Sequence, residues 1–155
     1  MSPHRQILTG LVQKHGWKSG AELGVQKGIL STMLMDECPE LSLLGVDVFD
    51  DPKHLARCQE LSEALDGRYR LLVMTTHNAS AEVEDGSLDF VFIDADHSDP
   101  AVSDDIAQWR SKVRPGGWLG GHDYNRKFPG VVTAVDRAFG AKVKTWPGSI
   151  WGVWL

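Results

Sequence analysis

Residues 21–28, Ala21-Glu22-Leu23-Gly24-Val25-Gln26-Lys27-Gly28, decide the reading of this chain. An apolar run, Ala21 to Val25, carries an acid and the first of two glycines four positions apart, and a stretch with helix-like spacing, Ile29 to Glu37, follows. Glycine turns tightly and lets backbone approach a ligand, and the N-terminus of a following helix favours a negative group. Strand, glycine turn and helix are the opening of a βαβ unit, and the alternation continues downstream. Apolar runs recur at Leu43 to Phe49, Tyr69 to Met74, Leu88 to Ile93 and Trp118 to Gly121, separated by Pro52 to Leu65, a short piece near Ala79 to Val83, and Pro100 to Val113. That alternation predicts an α/β fold, a parallel sheet with helices on both faces. Phe90-Val91-Phe92-Ile93 suits a strand buried on both sides. Gly130 to Phe139 then reads as a helix closed by Gly140, and Lys142 to Trp146 with Ile150 to Leu155 flank Pro147-Gly148 as a closing hairpin.

A chain of 155 residues has room for one core, so residues 1–155 are expected to form a single domain. Hydrophobic residues at 42% and charged residues at 24% are globular values, which excludes a disordered or low-complexity chain. Sixteen basic against 21 acidic residues leave a net charge of −5, the wrong footprint for a nucleic-acid partner. No run approaches the roughly 18–20 apolar residues of a membrane span, and the N-terminus lacks the apolar segment of a signal peptide. No membrane partner and a cytoplasmic location are therefore expected. Cys38 and Cys58 have no CxxC partner and read as ordinary thiols.

In open α/β sheets ligands bind at the carboxyl ends of the strands, where strand order reverses. Strand one there supplies ExGxxxG, Glu22 to Gly28, and strand two ends in Gly45-Val46-Asp47. Asp47 stands 23 positions after Gly24 (47 − 24), near the interval of about 20 at which an acid accepts hydrogen bonds from a ribose diol. The spacing is not GxGxxG, and Gln26 occupies the place of the crowded central glycine that a pyrophosphate requires. A nucleoside cofactor without a pyrophosphate fits better, and a dehydrogenase-type dinucleotide domain fits less well.

Together with Leu88-Asp89-Phe90-Val91-Phe92-Ile93-Asp94-Ala95-Asp96-His97, Arg114-Pro115-Gly116-Gly117 and Gly121-His122-Asp123-Tyr124, these motifs resemble a class I S-adenosylmethionine-dependent methyltransferase. The chain is similar to a small bacterial group with IDxDH after strand four and GHDY after strand five, and the resemblance runs from about Gly20 to the final hairpin. It implies a Rossmann-like doubly wound sheet of seven strands, mostly parallel, with the hairpin supplying the antiparallel strand. It also implies that Gly24 to Gly28 lie against the methionine part of S-adenosylmethionine, with Glu22 at its amino end; Asp94, if it holds no metal, is read as orienting the cofactor. Asp47 would bind the ribose hydroxyls, Val48 and Phe49 would face adenine, and Thr76 would sit near the adenine edge.

Strands four and five end in Asp94-Ala95-Asp96-His97 and His122-Asp123-Tyr124. Adjacent strands lie roughly 4.8 Å apart, so Asp94, His122 and Asp123 can share one ligand. Oxygen ligands with one or two nitrogens suit a hard divalent ion, Mg²⁺ or Mn²⁺, better than zinc. Metal-dependent O-methyltransferases of the superfamily, the catechol type among them, hold their ion with an Asp ending strand four and an acid-amide pair ending strand five. On this chain that pair falls on His122-Asp123, so a histidine stands where an acid would. His97 occupies the place of their base lysine, and a histidine is matched to taking a proton near neutral pH. His97 and Asp94 are thus the expected catalytic pair.

The reading is methyl transfer to a hydroxyl of a small metabolite or sugar, with Asp96 alternatively serving only as a helix cap. Helices that cover the substrate in many relatives are missing. The acceptor pocket must then come from the N-terminal segment, the loop from Asn125 to Gly130, or a neighbouring subunit. That absence supports a second reading, a catalytically silent nucleoside-binding module or a subunit of a larger assembly. The six tryptophans are expected in the core and hairpin, with those near the C-terminus a candidate homodimer contact. Asp99, Asp104 and Asp105 read as an acid-rich helix start.

Overall fold

The structure, a computed structural model, describes residues 3–155. Seven strands form one sheet: β1 (Ser19–Leu23), β2 (Ser42–Asp47), β3 (Tyr69–Val73), β4 (Leu88–Ile93), β5 (Val113–Gly121), β6 (Lys144–Trp146) and β7 (Ile150–Trp154). Their order is β3-β2-β1-β4-β5-β7-β6. The first five run parallel, and β7 is antiparallel to both β5 and β6. This is the expected seven-stranded, doubly wound architecture. β1 has β2 on one side and β4 on the other, so strand order reverses beside it and opens a crevice at the strands' carboxyl ends.

Helices α1 (Pro3–His15), α2 (Ile29–Glu37), α3 (Pro52–Ala64), α4 (Thr76–Ala79), α5 (Asp99–Trp109) and α6 (Pro129–Phe139) cover the sheet. The period of two along β4 divides the core. Phe90 and Phe92 face a cluster with Leu8, Val12, Leu30 and Leu34, while Val91 and Ile93 face another with Val102, Ile106, Trp109, Val131 and Val135. Asp51 caps α3 by accepting from Lys53 N at 2.9 Å, and Pro52 opens it. Ser98, rather than Asp96, caps α5, while Asp96 accepts from Ser98 N at 2.6 Å in the turn before it.

Three elements differ from the sequence reading. α1 covers 3–15, where no element was assigned; it buries Leu8, Leu11 and Val12 from one face. β1 sits two residues earlier than the apolar run, so Gly24 and Val25 belong to the loop. β5 begins at Val113 because Leu88 pairs with Val113 and Phe90 with Trp118, so Arg114 to Gly117 form a bulge opposite Asp89. Pro115 has no amide to donate and is accommodated there. Trp17, Trp109, Trp118 and Trp151 are buried as expected, and Trp154 is partly exposed. Among the described residues no helix is long and apolar enough to cross a membrane.

Candidate active site

The loop after β1 is built by what Gly24 and Asp47 each do to the backbone. Gly24 has φ 90°, and a Cβ there would lie 2.2 Å from the Asp94 carbonyl oxygen. Only glycine fits so close to the end of β4. Gly28, at φ 67°, starts α2 and stands back from the cleft. Asp47 Oδ2 accepts from the Val25 and Gln26 amides at 2.9 and 2.8 Å, and its Oδ1 accepts from Phe49 N at 2.7 Å. Gln26 and Phe49 both have positive φ, a conformation costing about 1–3 kcal/mol that these hydrogen bonds help to hold. A carboxylate offers about four lone-pair sites, so Asp47 supports the loop and keeps roughly one acceptor for a ligand.

The crevice is one cleft of about 820 Å³. Glu22, Gly24, Asp47, Val48, Thr76, Asp94 and His97 all line it, which brings together the expected cofactor residues other than Gly28. Val48 presents its side chain at the β2 end, 54% exposed. Thr76 begins α4 and lines the cleft; its carbonyl accepts from Trp109 Nε1 at 3.0 Å, and its side chain favours the ionised form of the Asp105 carboxyl. Asp105 is buried, and desolvation pushes its pKa up to about 6. Glu22 forms the floor, 3% exposed, receiving a short hydrogen bond from Ser31, whose Oγ is 3.1 Å from the Tyr69 hydroxyl. Burial pushes Glu22 up to about 8 against the opposing effect of Ser31.

At the other end of the cleft, Asp94, His97 and Asp123 bring two carboxylate oxygens and one imidazole nitrogen within 4.8 Å of one another. His97 Nε2 is 3.6 Å from Asp94 Oδ1 and 2.8 Å from Asp123 Oδ2. Nε2 is sealed from solvent and lies within ion-pair distance of both carboxylates, without hydrogen-bond geometry to either. His122 Nδ1 lies against the same oxygens, 3.5 Å from Asp94 and 3.3 Å from Asp123. The tight set therefore contains His97, with His122 beside it. Asp123 adopts φ 59°, which turns its side chain back toward β4. Desolvation pushes the Asp94 pKa up, but the closeness of His122 and His97 together more than offsets it and lowers the value. Contact with Asp94 and the charge of Asp123 raise His97 despite its burial, and the same two acids raise His122 against a larger desolvation. Phe128, in the loop from Asn125 to Gly130, stacks on His97 at 4.5 Å.

The sequence offered the N-terminal segment as one candidate source of the acceptor pocket, but the helix α1 and its individual residues at the site were not read from it. The first turn of α1 brings Arg5 and His4 to the cleft, and the His4 ring packs on His122 at 4.1 Å. The apolar spacing Ile7, Leu8, Leu11, Val12 was the available signal for that helix.

No curated protein matches the sequence. Among solved structures, a Klebsiella pneumoniae protein provisionally described as an O-methyltransferase superposes with a TM-score of 0.77 at 20% identity, over 100% of this chain and 80% of its own. An O-methyltransferase from Bacillus cereus in complex with S-adenosylhomocysteine gives 0.72 at 22% identity, over 100% and 82%. The TDP-rhamnose 3'-O-methyltransferase CalS11 of calicheamicin biosynthesis gives 0.75 at 15%, over 96% and 77%. At these identities the likeness is one of fold. The sequence profile of the family described as methyltransferase domain matches residues 21–124, from β1 through the β5 turn that carries His122, Asp123 and Tyr124. Since that span holds the glycine loop, the cleft floor and the strand-end cluster, the chain belongs to the methyltransferase-domain family.

Proposed function

We propose that the protein transfers the methyl group of S-adenosylmethionine to a hydroxyl of a small acceptor. The observation that carries this reading is the continuity of one cleft from Val48 and Thr76, past Glu22, to Asp94 and His97. A nucleoside sits at the apolar end, its ribose near Asp47, and its methionine part runs along the glycine loop over Glu22. The sulfonium methyl then points to the Asp94 end, where the acceptor oxygen attacks in line; the C–O bond forms as the C–S bond breaks, the thioether leaves, and the hydroxyl proton passes to His97 in the ion-free cluster or to solvent water otherwise. The product-bound state of the Bacillus cereus neighbour supports the cofactor, and the rhamnose-modifying neighbour supports a sugar-like hydroxyl as one acceptor class.

The cluster fits a hard divalent cation, Mg²⁺ or Mn²⁺: Asp94, His97 and Asp123 would hold it, on the ground that two carboxylate oxygens and the solvent-sealed His97 Nε2 lie within 4.8 Å of one another. Such an ion supplies Lewis acidity that favours the ionised form of an acceptor hydroxyl. His122 holds both carboxylates in place, and Phe128 shields His97 from water. His97 acts as a base only when the cluster holds no ion. The test is transfer of label from methyl-labelled S-adenosylmethionine to a panel of hydroxylated small molecules, with Mg²⁺ and with EDTA. Labelled ether product that disappears with EDTA supports the full reading. Transfer indifferent to EDTA removes the metal, and absence of transfer to any acceptor in either condition favours the silent binding module.

A further inference from the structure

Arg5 stands in the first turn of α1 and lines the cleft together with Glu22. Its Nε is sealed from solvent and has no hydrogen-bond partner among the described residues. A desolvated donor without an acceptor is costly unless a ligand satisfies it. The turn that carries Arg5 is fixed. Leu8 and Val12 anchor α1 in the core, the His4 ring packs on His122, and a Cβ on Gly148 would lie 3.0 Å from the His4 amide, so the β6–β7 turn also abuts it. The Arg5 charge is felt at Glu22, where it acts to lower the pKa. A guanidinium and a carboxyl group thus face one space at the middle of the cleft. That is the complement of an amino-acid zwitterion, whose ammonium and carboxylate branch from a single carbon.

Resting on the cofactor reading above, we propose that Arg5 binds the carboxylate of the amino-acid end of S-adenosylmethionine while Glu22 takes its ammonium, so that α1 is part of the cofactor site. A planar guanidinium fork holds a carboxylate through two parallel hydrogen bonds, which also fixes the direction in which the sulfonium leaves the glycine loop. A carboxylate or phosphate on the acceptor offers Arg5 the same chemistry, but the position beside Glu22 favours the cofactor.

The experiment is calorimetric titration of the wild type, Arg5→Ala and Arg5→Lys with three probes. These are S-adenosylhomocysteine, its decarboxylated analogue S-adenosyl-3-thiopropylamine, and 5'-methylthioadenosine, which lacks the amino-acid part. Arg5→Ala is expected to weaken S-adenosylhomocysteine binding on the order of 10- to 100-fold while leaving the other two within about twofold. Arg5→Lys, with charge but no fork, is expected to fall between. Equal losses for all three probes would make Arg5 a structural residue and overturn the proposal. Unchanged S-adenosylhomocysteine affinity in Arg5→Ala would overturn it as well, leaving Arg5 to an acceptor's acid group. Failure of the wild type to bind any probe would instead overturn the cofactor reading itself.

Discussion

Gly24 and Asp94 meet backbone to backbone, with no room between the Gly24 α-carbon and the Asp94 carbonyl for a methyl group. The first residue of the loop and the first residue of the strand-four cluster are therefore set in register, and the glycine loop and that cluster cannot move independently. Gly24→Ala is expected to cost about 2–4 kcal/mol, combining positive-φ strain with a backbone overlap, and to abolish measurable S-adenosylhomocysteine binding. Urea unfolding and calorimetry check both parts; a variant of unchanged stability and affinity would contradict the account of the loop.

Asp47 is expected to act first on the loop and only then on the ribose. Asp47→Ala leaves the amides of Val25, Gln26 and Phe49 without their acceptor. It is expected to lower stability by about 1–3 kcal/mol even without ligand, and to weaken cofactor binding as well. A loss of affinity with no shift of the unfolding midpoint would assign Asp47 to the ribose alone.

The buried acids predict how stability depends on pH. Glu22 is pushed up to about 8 in the folded state and Asp105 to about 6, each from an ordinary carboxyl value. Raised values mean that the folded protein holds these protons more tightly than the unfolded chain. Their contribution is full below about pH 4 and is lost as pH rises toward each folded value. The slope for each proton approaches about 1.4 kcal/mol per pH unit. Asp105→Asn is expected to flatten the stability curve between about pH 4 and 6, and Glu22→Gln to flatten it up to about pH 8. Unfolding curves across that range that superpose on the wild type would refute the assignment. Because a ligand ammonium on Glu22 expels its proton, S-adenosylhomocysteine affinity should also rise with pH up to about 8, with proton release visible in buffers of different ionisation enthalpy.

The two histidines of the strand-end cluster are expected to behave differently toward metal. His97→Ala removes a member of the tight set and should weaken Mn²⁺ binding at least about tenfold, as seen by electron paramagnetic resonance. His122→Ala removes a neighbour of the two carboxylates and should cost less. The reverse order would restore the set of Asp94, His122 and Asp123 read from the sequence.

Much of this was legible in the residues. Fully apolar runs such as Phe90 to Ile93 placed the strands, and the glycines with Asp47 placed the cleft, because the parallel sheet fixes where strand ends go. What was not legible depended on local backbone geometry. Whether His97 or His122 joins the tight set turns on the left-handed conformation of Asp123 and on the stacking of Phe128, neither of which has a sequence period. Asp105 was read with Asp99 and Asp104 as part of an acid-rich helix start. Yet it stands three residues after Val102 and four before Trp109, on the buried face of the helix, and that pattern foretold its burial. Arg5 lay in a segment whose polar residues hid a two-turn apolar stripe.

The most direct test of the central claim is a calorimetric titration with S-adenosylmethionine and S-adenosylhomocysteine, each in Mg²⁺ and in EDTA. The account predicts one saturable site for both ligands in either condition, since the nucleoside and amino-acid contacts belong to the protein, with Mg²⁺ adding its own heat through Asp94, His97 and Asp123. Absence of binding by both ligands in both conditions would contradict it.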